Sequence, residues 1–203
     1  MNDNHSPTVF IVDDEPAVRK AIGLIIEQAG HNIATFGSAA EFLECYDPSR
    51  PGCLVSDVRM PGMDGMALLR HMMGLGKTIP VVMLSAHGDI PMAVSAVQTG
   101  AIDFLEKPAD PETLRQKVAT ALALDAQWRQ GEDERAEIEQ MLSSLTPRER
   151  EVLSLLVDGK DAKIVAQVLG TSHNTVRVQR SSIMKKMRAD NLADLVRMTN
   201  LVE

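Results

Sequence analysis

Short apolar segments alternate with helical patterns along the first 125 residues, and this alternation restricts the fold more than any other feature. Thr8–Val12 is a β-branched apolar run, and the helical pattern that follows it stops at Gly30. Strand signals recur near 33–36, 53–56, 81–84 and 102–105, and helical patterns follow them near 39–45, 66–73 and 92–99 and from 111 onward. Strands that alternate with helices form a parallel sheet covered on both faces. The sequence therefore predicts a doubly wound α/β domain with a five-stranded parallel sheet.

The C-terminal part of the chain has helical patterns only. Helices are predicted at 147–157, 162–169, 174–187 and 193–201, with turns at 158–159 and 170–171. The preceding segment is rich in charged residues and helix formers, which indicates a helical or partly mobile linker. The predicted organisation is an α/β domain at 1–125, a linker at 126–142 and a small all-α four-helix domain at 143–203.

Charge, cysteine content and hydropathy narrow the classes of function. Residues 1–143 contain 11 basic and 21 acidic residues, whereas 144–203 contain 10 and 7, so the formal charges are −10 and +3. This asymmetry suggests that the C-terminal part binds a polyanion such as nucleic acid. The only two cysteines, Cys45 and Cys53, lack metal-ligand spacing and are interpreted as free buried thiols in a reducing compartment. The chain has neither an apolar run of about 20 residues nor a signal-peptide pattern, so we expect a cytoplasmic protein without a membrane partner.

Chemically active side chains follow four of the five predicted strands. Asp13 and Asp14 follow the first strand and Asp57 lies at the end of the third. Ser85 follows the fourth strand and Lys107 the fifth. The carboxyl ends of parallel strands meet at one edge of a sheet, where ligands bind. Three neighbouring carboxylates repel one another unless a hard cation such as Mg²⁺ neutralises them. One carboxylate could then attack a phosphoryl group in line, while a lysine and a hydroxyl hold its oxygens.

The segments around these residues resemble the motifs of receiver domains, which have the flavodoxin-like fold. The matching motifs occur in the family's order and spacing over about residues 8–125: Val12-Asp13-Asp14-Glu15, Ser56-Asp57-Val58-Arg59-Met60-Pro61-Gly62, Leu84-Ser85-Ala86 and Phe104-Leu105-Glu106-Lys107-Pro108. The resemblance implies that Asp57 is the phosphoacceptor. It also implies a Mg²⁺ site made by the residues Asp13, Asp14, Asp57 and the backbone carbonyl of Arg59, with Asp13 acting mainly through metal-bound water.

The same resemblance assigns roles at the last two strand ends. Ser85, where the family more often has threonine, and Lys107 would contact the phosphoryl group. The Lys107–Pro108 bond would be cis, with an ordinary trans turn as the alternative. Phe104 would be the switch aromatic that turns inward after phosphorylation; the alternative is an ordinary core phenylalanine.

The C-terminal segment resembles the LuxR/FixJ type of helix-turn-helix domain over about residues 143–200. The resemblance is carried by Leu145-Thr146-Pro147-Arg148-Glu149, Val152-Leu153, Gly159, Lys163, Ala166, Leu169, Thr175-Val176-Arg177-Val178, Ile183, Lys186-Met187 and Leu195-Val196. It implies base contacts from Arg177, Val178 and Ser181 in the major groove. Phosphate contacts are expected from five other residues: Lys163, Thr175, Arg180, Lys185 and Lys186. Two departures are Gln179, where many relatives have histidine, and Asp161-Ala162, which replaces a common Ser/Asn pair and should weaken phosphate attraction locally.

Together the resemblances predict a phosphorylation-dependent transcriptional regulator of a two-component system, of the FixJ/NarL family and similar to its FixJ-like subfamily, rather than an enzyme. The expected partners are a sensor histidine kinase, promoter DNA, RNA polymerase and a second copy of the chain. Dimerisation is expected through the surface Pro91–Phe104. The run Ser85–Pro91 supports this mode by analogy with the FixJ subfamily.

Three other functions stay open at this point. The first is a phosphate-independent regulator with a vestigial receiver. The second is an aspartyl-phosphate hydrolase, although the haloacid-dehalogenase type places its two aspartates two apart on the first strand. The third is a regulator that senses a small molecule through an unrelated N-terminal domain. The sequence also leaves open whether the unphosphorylated receiver masks the DNA-binding helices or simply fails to present them as a dimer.

Overall fold

Five parallel strands form one sheet in the computed structural model, which describes residues 6–76, 79–86 and 90–202. The strands are β1 (Thr8–Val12), β2 (Asn32–Phe36), β3 (Gly52–Asp57), β4 (Val81–Ser85) and β5 (Asp103–Glu106). Their order is β2-β1-β3-β4-β5, the doubly wound order of the flavodoxin-like fold, so the predicted fold is confirmed. Residues 87–89 of the FixJ-like run lie outside the described residues.

Helices cover both faces of this sheet. They are α1 (Pro16–Gln28), α2 (Ala39–Cys45), α3 (Gly65–Gly74), α4 (Ile90–Thr99) and α5 (Pro111–Ser143). Successive side chains of a strand point to opposite faces. Phe10 of β1 therefore packs in one apolar core with Phe42 and Leu68, while Val9 packs in the other core with Ile26. Burial on both faces explains why the strand segments are continuous apolar runs.

The C-terminal part of the chain is a separate helical unit. Its helices after residue 143 are α6 (Pro147–Val157), α7 (Ala162–Val168), α8 (His173–Lys186) and α9 (Leu192–Asn200), close to the predicted positions. The chain divides into two compact units between Trp128 and Arg129. Ile138 of α5 is buried in the C-terminal core. The segment predicted as a linker is thus helical throughout, and its end adds a fifth helical piece to the core of the C-terminal unit.

The two cysteines differ in exposure, so the prediction that both are buried is wrong for Cys45. Cys53 of β3 is buried, whereas Cys45 at the end of α2 is exposed. The inward face of α2 is occupied by Ala39 and Phe42, and Tyr46 continues it. Both sulfurs are free thiols.

A helix must be both long and apolar to span a membrane. Within 6–76, 79–86 and 90–202, no helix is both long enough and apolar enough to span a membrane. The 33-residue helix α5 has the length but carries many charged residues.

Candidate functional site

An acidic cluster lies at the carboxyl edge of the sheet, where the sequence predicts a metal site. Val12 at the end of β1 pairs with Ser56, and Asp57 pairs with Leu84, so the strand ends lie side by side. Asp13, Asp14 and Asp57 each offer a carboxylate oxygen, and these oxygens lie within 4.8 Å of one another. Three carboxylates in one place suit a hard divalent cation such as Mg²⁺. The donor set therefore fits the cation that the resemblance implies.

Lys107 joins this cluster from the end of β5. Its Nζ lies 2.7 Å from Asp13 Oδ2 and 2.8 Å from Asp57 Oδ1. Burial raises the pKa of Asp57, and the hydrogen bond from Lys107 opposes that effect only in part. Burial alone would lower the pKa of Lys107, but its hydrogen bonds to Asp13 and Asp57 outweigh it and the pKa is raised. The ammonium group is thus held in its charged form next to the two carboxylates.

Backbone contacts fix the loops that carry these side chains. The Asp13 N–H donates to Phe36 O at 3.2 Å, and the Lys107 N–H donates to Ser85 O at 2.8 Å. The Lys107–Pro108 bond is cis, which confirms that expectation. Arg19 of α1 donates from Nη1 to the carbonyl oxygen of Asp13. Arg19 is therefore an additional support of the Asp13 loop, and sequence reasoning missed it.

The remaining predicted receiver residues lie around the same edge. Ser85 is buried, and its hydroxyl oxygen lies 4.0 Å from the sulfur of Met92 at the start of α4. Phe104 of β5 is half-buried and packs against the core on the face that contains Met83. Arg59 is exposed two residues after the end of β3. Lys107 contacts both Asp13 and Asp57 directly. Ser85 ends β4, the strand between those that carry Asp57 and Lys107, and Phe104 lies three residues before Lys107.

Helices α7 and α8 form the predicted helix-turn-helix. Val176, Ile183 and Met187 are buried in the core of the C-terminal unit, as the periodicity predicts. Seven of the expected DNA-contact positions are exposed: Lys163, Thr175, Arg177, Val178, Arg180, Ser181 and Lys185. The expected base-contact positions of α8, Arg177, Val178 and Ser181, therefore lie on the surface of the C-terminal unit.

The turn residues at the helix starts have clear structural roles. Asp161 caps α7 because its Oδ1 accepts from the backbone N–H groups of Lys163 and Ile164, at 2.9 and 2.8 Å. Ser172 caps α8 by accepting from the Thr175 N–H at 3.0 Å. Asp161, one of the departures from the family pattern, thus stabilises the start of α7. This capping role is separate from its expected effect on phosphate attraction.

One polar network in the C-terminal unit was not predicted. Glu149 of α6 is buried and contacts Ser182 and Lys186 of α8. Lys186, which sequence analysis places among the phosphate contacts, is therefore already ion-paired with a carboxylate. The sequence signal for part of this network is the Thr146–Glu149 spacing of a capping box, but its partners on α8 are more than 30 residues away.

The fold and the acidic edge define a receiver-type phosphoacceptor domain followed by a helix-turn-helix unit, and comparison with known proteins agrees with that class. Residues 9–119 match the family described as response regulator receiver domain. Residues 143–199 match the family described as bacterial regulatory proteins, luxR family.

Similar proteins extend over almost the whole chain. The transcriptional regulatory protein FixJ of Azorhizobium caulinodans is 41% identical over 193 residues, which are 95% of this chain and 92% of that protein. The response regulator protein TmoT of Ectopseudomonas mendocina is 41% identical over 199 residues, 98% of this chain and 90% of that protein. The solved structure of the response regulator StyR is 42% identical with a TM-score of 0.85, covering 96% of this chain and 98% of that one.

The chain therefore belongs to the two-component response regulators that combine a receiver domain with a LuxR-type DNA-binding domain, and it is FixJ-like. It is a phosphorylation-dependent transcription regulator. The same matches remove the alternative of a small-molecule sensor with an unrelated N-terminal domain.

Proposed function

We propose that Asp57 accepts a phosphoryl group from a phosphohistidine of a sensor kinase. A carboxylate oxygen of Asp57 bonds to phosphorus while the phosphorus–nitrogen bond breaks, and the histidine nitrogen keeps the electron pair. The observation that carries this proposal is the contact of Lys107 Nζ with both Asp57 and Asp13 at the carboxyl edge of the sheet. An ammonium group at that position can bind an oxygen of the incoming phosphoryl group.

The neighbouring residues complete the site. Asp14, Asp57 and the backbone carbonyl of Arg59 would hold Mg²⁺ directly, and Asp13 would act mainly through metal-bound water. When bound, Mg²⁺ neutralises carboxylate charge and phosphoryl charge. The Ser85 hydroxyl and the Lys107 ammonium group hold the phosphoryl oxygens. When Ser85 moves toward the phosphoryl group, Phe104 turns inward and the surface of α4 and β5 changes.

The altered surface would support a homodimer. Three apolar side chains of α4 are largely exposed: Ile90, Val94 and Val97. Exposed apolar side chains on one helix suit contact with a second copy; Val94 and Val97 lie within the expected surface Pro91–Phe104, and Ile90 directly precedes it. A dimer can place two copies of α8 on a two-fold promoter site, one in each half-site, from which RNA polymerase would be recruited. Access to promoter DNA puts this function in the cytoplasm.

The C-terminal unit would contact DNA with the exposed residues of α7 and α8. Arg177, Val178 and Ser181 would contact bases in the major groove. The phosphate contacts would come from four residues: Lys163, Thr175, Arg180 and Lys185. Residues 1–125 would receive the signal, residues 126–142 would connect the two domains, and residues 143–203 would bind DNA.

Replacing the phosphoacceptor tests this proposal. Wild type, Asp57→Ala and a control, Asp47→Asn, are compared with Mg²⁺, with and without beryllofluoride, by sedimentation velocity and by DNA binding. Asp47 is a suitable control because it lies in the exposed loop after α2. Beryllofluoride should convert wild type and Asp47→Asn to dimers that bind DNA more tightly, and Asp57→Ala should stay unchanged. The same behaviour in all three proteins would instead favour a vestigial receiver.

A further inference from the structure

We propose that Glu149 is a positioning residue for DNA recognition, which holds the recognition helix α8 from the N-terminus of α6 through Ser182 and Lys186. This inference rests on the DNA-binding role of α8. It does not depend on phosphorylation of Asp57. It assigns a function to a carboxylate that lies away from the exposed DNA-contact positions.

The carboxylate of Glu149 is itself fixed in place by the start of α6. Thr146 and Glu149 form a capping box, in which the Thr146 N–H donates to Glu149 Oε2 at 2.8 Å and the Glu149 N–H donates to Thr146 Oγ1 at 3.2 Å. Each partner thereby satisfies a backbone group that the helix leaves open. The carboxylate is thus a fixed point on α6 rather than a freely rotating side chain.

Both oxygens of this carboxylate bind α8. The Ser182 hydroxyl donates to Glu149 Oε1 at 2.6 Å, and the Lys186 ammonium donates to Glu149 Oε2 at 2.7 Å. Ser182 and Lys186 are four residues apart and so lie on the same face of the helix. Two bonds one turn apart resist rotation of α8 about its own axis as well as sliding along it.

The rotation of α8 matters because adjacent residues of a helix point about 100° apart. Ser182, which is bonded to Glu149, directly follows Ser181, one of the expected base contacts. A small rotation that breaks the Glu149 bonds would also turn Arg177 and Ser181 away from the base edges. Specific contacts need their groups within about 0.5 Å of the productive position, whereas nonspecific phosphate attraction does not.

Burial indicates that this carboxylate is more than an ordinary surface acid. Glu149 is only 7% exposed and lies on the face of α6 that also contains Val152 and Leu153. A buried carboxylate is costly unless it is paired, and an apolar residue at such a position often gives equal stability. The hydrogen bonds lower the pKa of Glu149 to about 2, with that from Lys186 as the largest cause, so the carboxylate stays charged.

The pairing also determines what Lys186 can do. Its ammonium group is bound to Glu149 and lies 3.3 Å from Ser144 O, so it is held at the α6 end rather than offered to a phosphate. Removing the charge of Glu149 should release Lys186. One additional phosphate contact would then steepen the salt dependence of DNA binding by about one unit of slope.

The test uses the full-length protein with beryllofluoride and two DNA duplexes of equal length. One is selected from a random pool by the wild-type protein, and the other is its scrambled version. The variants are Glu149→Gln, which keeps a capping-box acceptor, Ser182→Ala, and the matched control Glu151→Gln. Glu151 is an exposed acid of the same helix that pairs with Arg148.

We expect Glu149→Gln to reduce the ratio of specific to nonspecific affinity by about tenfold, the scale of one base contact. Ser182→Ala should reduce the ratio by several fold, and Glu151→Gln should leave it unchanged. The steeper salt dependence of Glu149→Gln should disappear in the double variant Glu149→Gln/Lys186→Met. A merely structural role predicts instead a loss of thermal stability with both affinities lowered equally, and that result, or a wild-type ratio in Glu149→Gln, would overturn the proposal.

Discussion

At the scale of single residues, the acidic edge depends on a position that has no side chain. Gly65 begins α3, and a Cβ there would lie 2.0 Å from the carbonyl oxygen of Asp57. Its N–H donates to Val58 O at 2.8 Å. Gly65→Ala must therefore displace the end of β3, and we expect a loss of about 1–3 kcal/mol in the free energy of unfolding. Urea unfolding would measure this loss, and titration with beryllofluoride and Mg²⁺ should show weaker binding.

Gly74, the last residue of the same helix, offers the matched control. It is exposed, and a Cβ at this position would meet no atom within 4 Å. Gly74→Ala should leave beryllofluoride binding unchanged and should stabilise the protein by up to about 1 kcal/mol, because alanine loses less backbone entropy on folding. Equal effects of the two substitutions would show that the close approach at Gly65 is unimportant.

The lowered pKa of Glu149 should make the stability of the C-terminal unit depend on pH in acid. Its pKa is lowered from an ordinary value of 4.5 to about 2, first by the hydrogen bond from Lys186 and then by that from Ser182. A depressed pKa stabilises the folded state above pH 4.5, and this contribution is lost as the pH falls from about 4.5 to 2. The protection factors for hydrogen exchange of the α6 and α8 amides should therefore fall over that range in wild type. Glu149→Gln should show a smaller change, and Glu151→Gln should behave as wild type.

At the scale of elements, helix α5 is tied to the sheet by a buried carboxylate. Asp125 is 2% exposed and accepts a hydrogen bond from the Gly52 N–H at 2.9 Å, at the start of β3. Removing the acceptor leaves a buried N–H unsatisfied, which costs about 1–3 kcal/mol. We expect Asp125→Ala to lose about that much stability and to speed exchange of the Gly52 amide. Asp125→Asn keeps an acceptor and should lose less; an equal loss would mean that the charge, rather than this hydrogen bond, is important.

The elements themselves were largely predictable, because their signals are local. Continuous apolar runs located the strands, and the residues that directly follow them located the acidic edge. The contact of Asp125 with Gly52 and those of Glu149 with α8 were not predictable, since these partners are 73 and more than 30 residues away and nothing in the local pattern marks the pairing. The burial of Ile138 was not predicted for a related reason. Ile138 lies between the charged residues Glu137 and Glu139, and a single buried position gives no periodic signal on that stretch of α5.

At the scale of the whole molecule, the proposed regulation requires that a change at the acidic edge alter how two copies associate. The exposed apolar side chains of α4 are the proposed contact, and Val97 is 53% exposed. Val97→Glu would place a negative charge in that contact on each copy, and burying like charges without partners is costly. We expect this variant to bind beryllofluoride as wild type does but to remain a monomer in sedimentation velocity.

Leu24 of α1 provides a control of similar exposure, at 48%, on a different helix of the receiver. Leu24→Glu should still dimerise with beryllofluoride, because Leu24 lies outside the proposed contact surface of α4 and β5. The two variants should also differ in DNA binding. Val97→Glu should lose most of the gain in affinity that beryllofluoride gives on a two-fold site, since two monomers would bind the two half-sites independently. If Val97→Glu dimerises normally while Leu24→Glu does not, the dimer forms through another face of the receiver, and phosphorylation must act on DNA binding through that face.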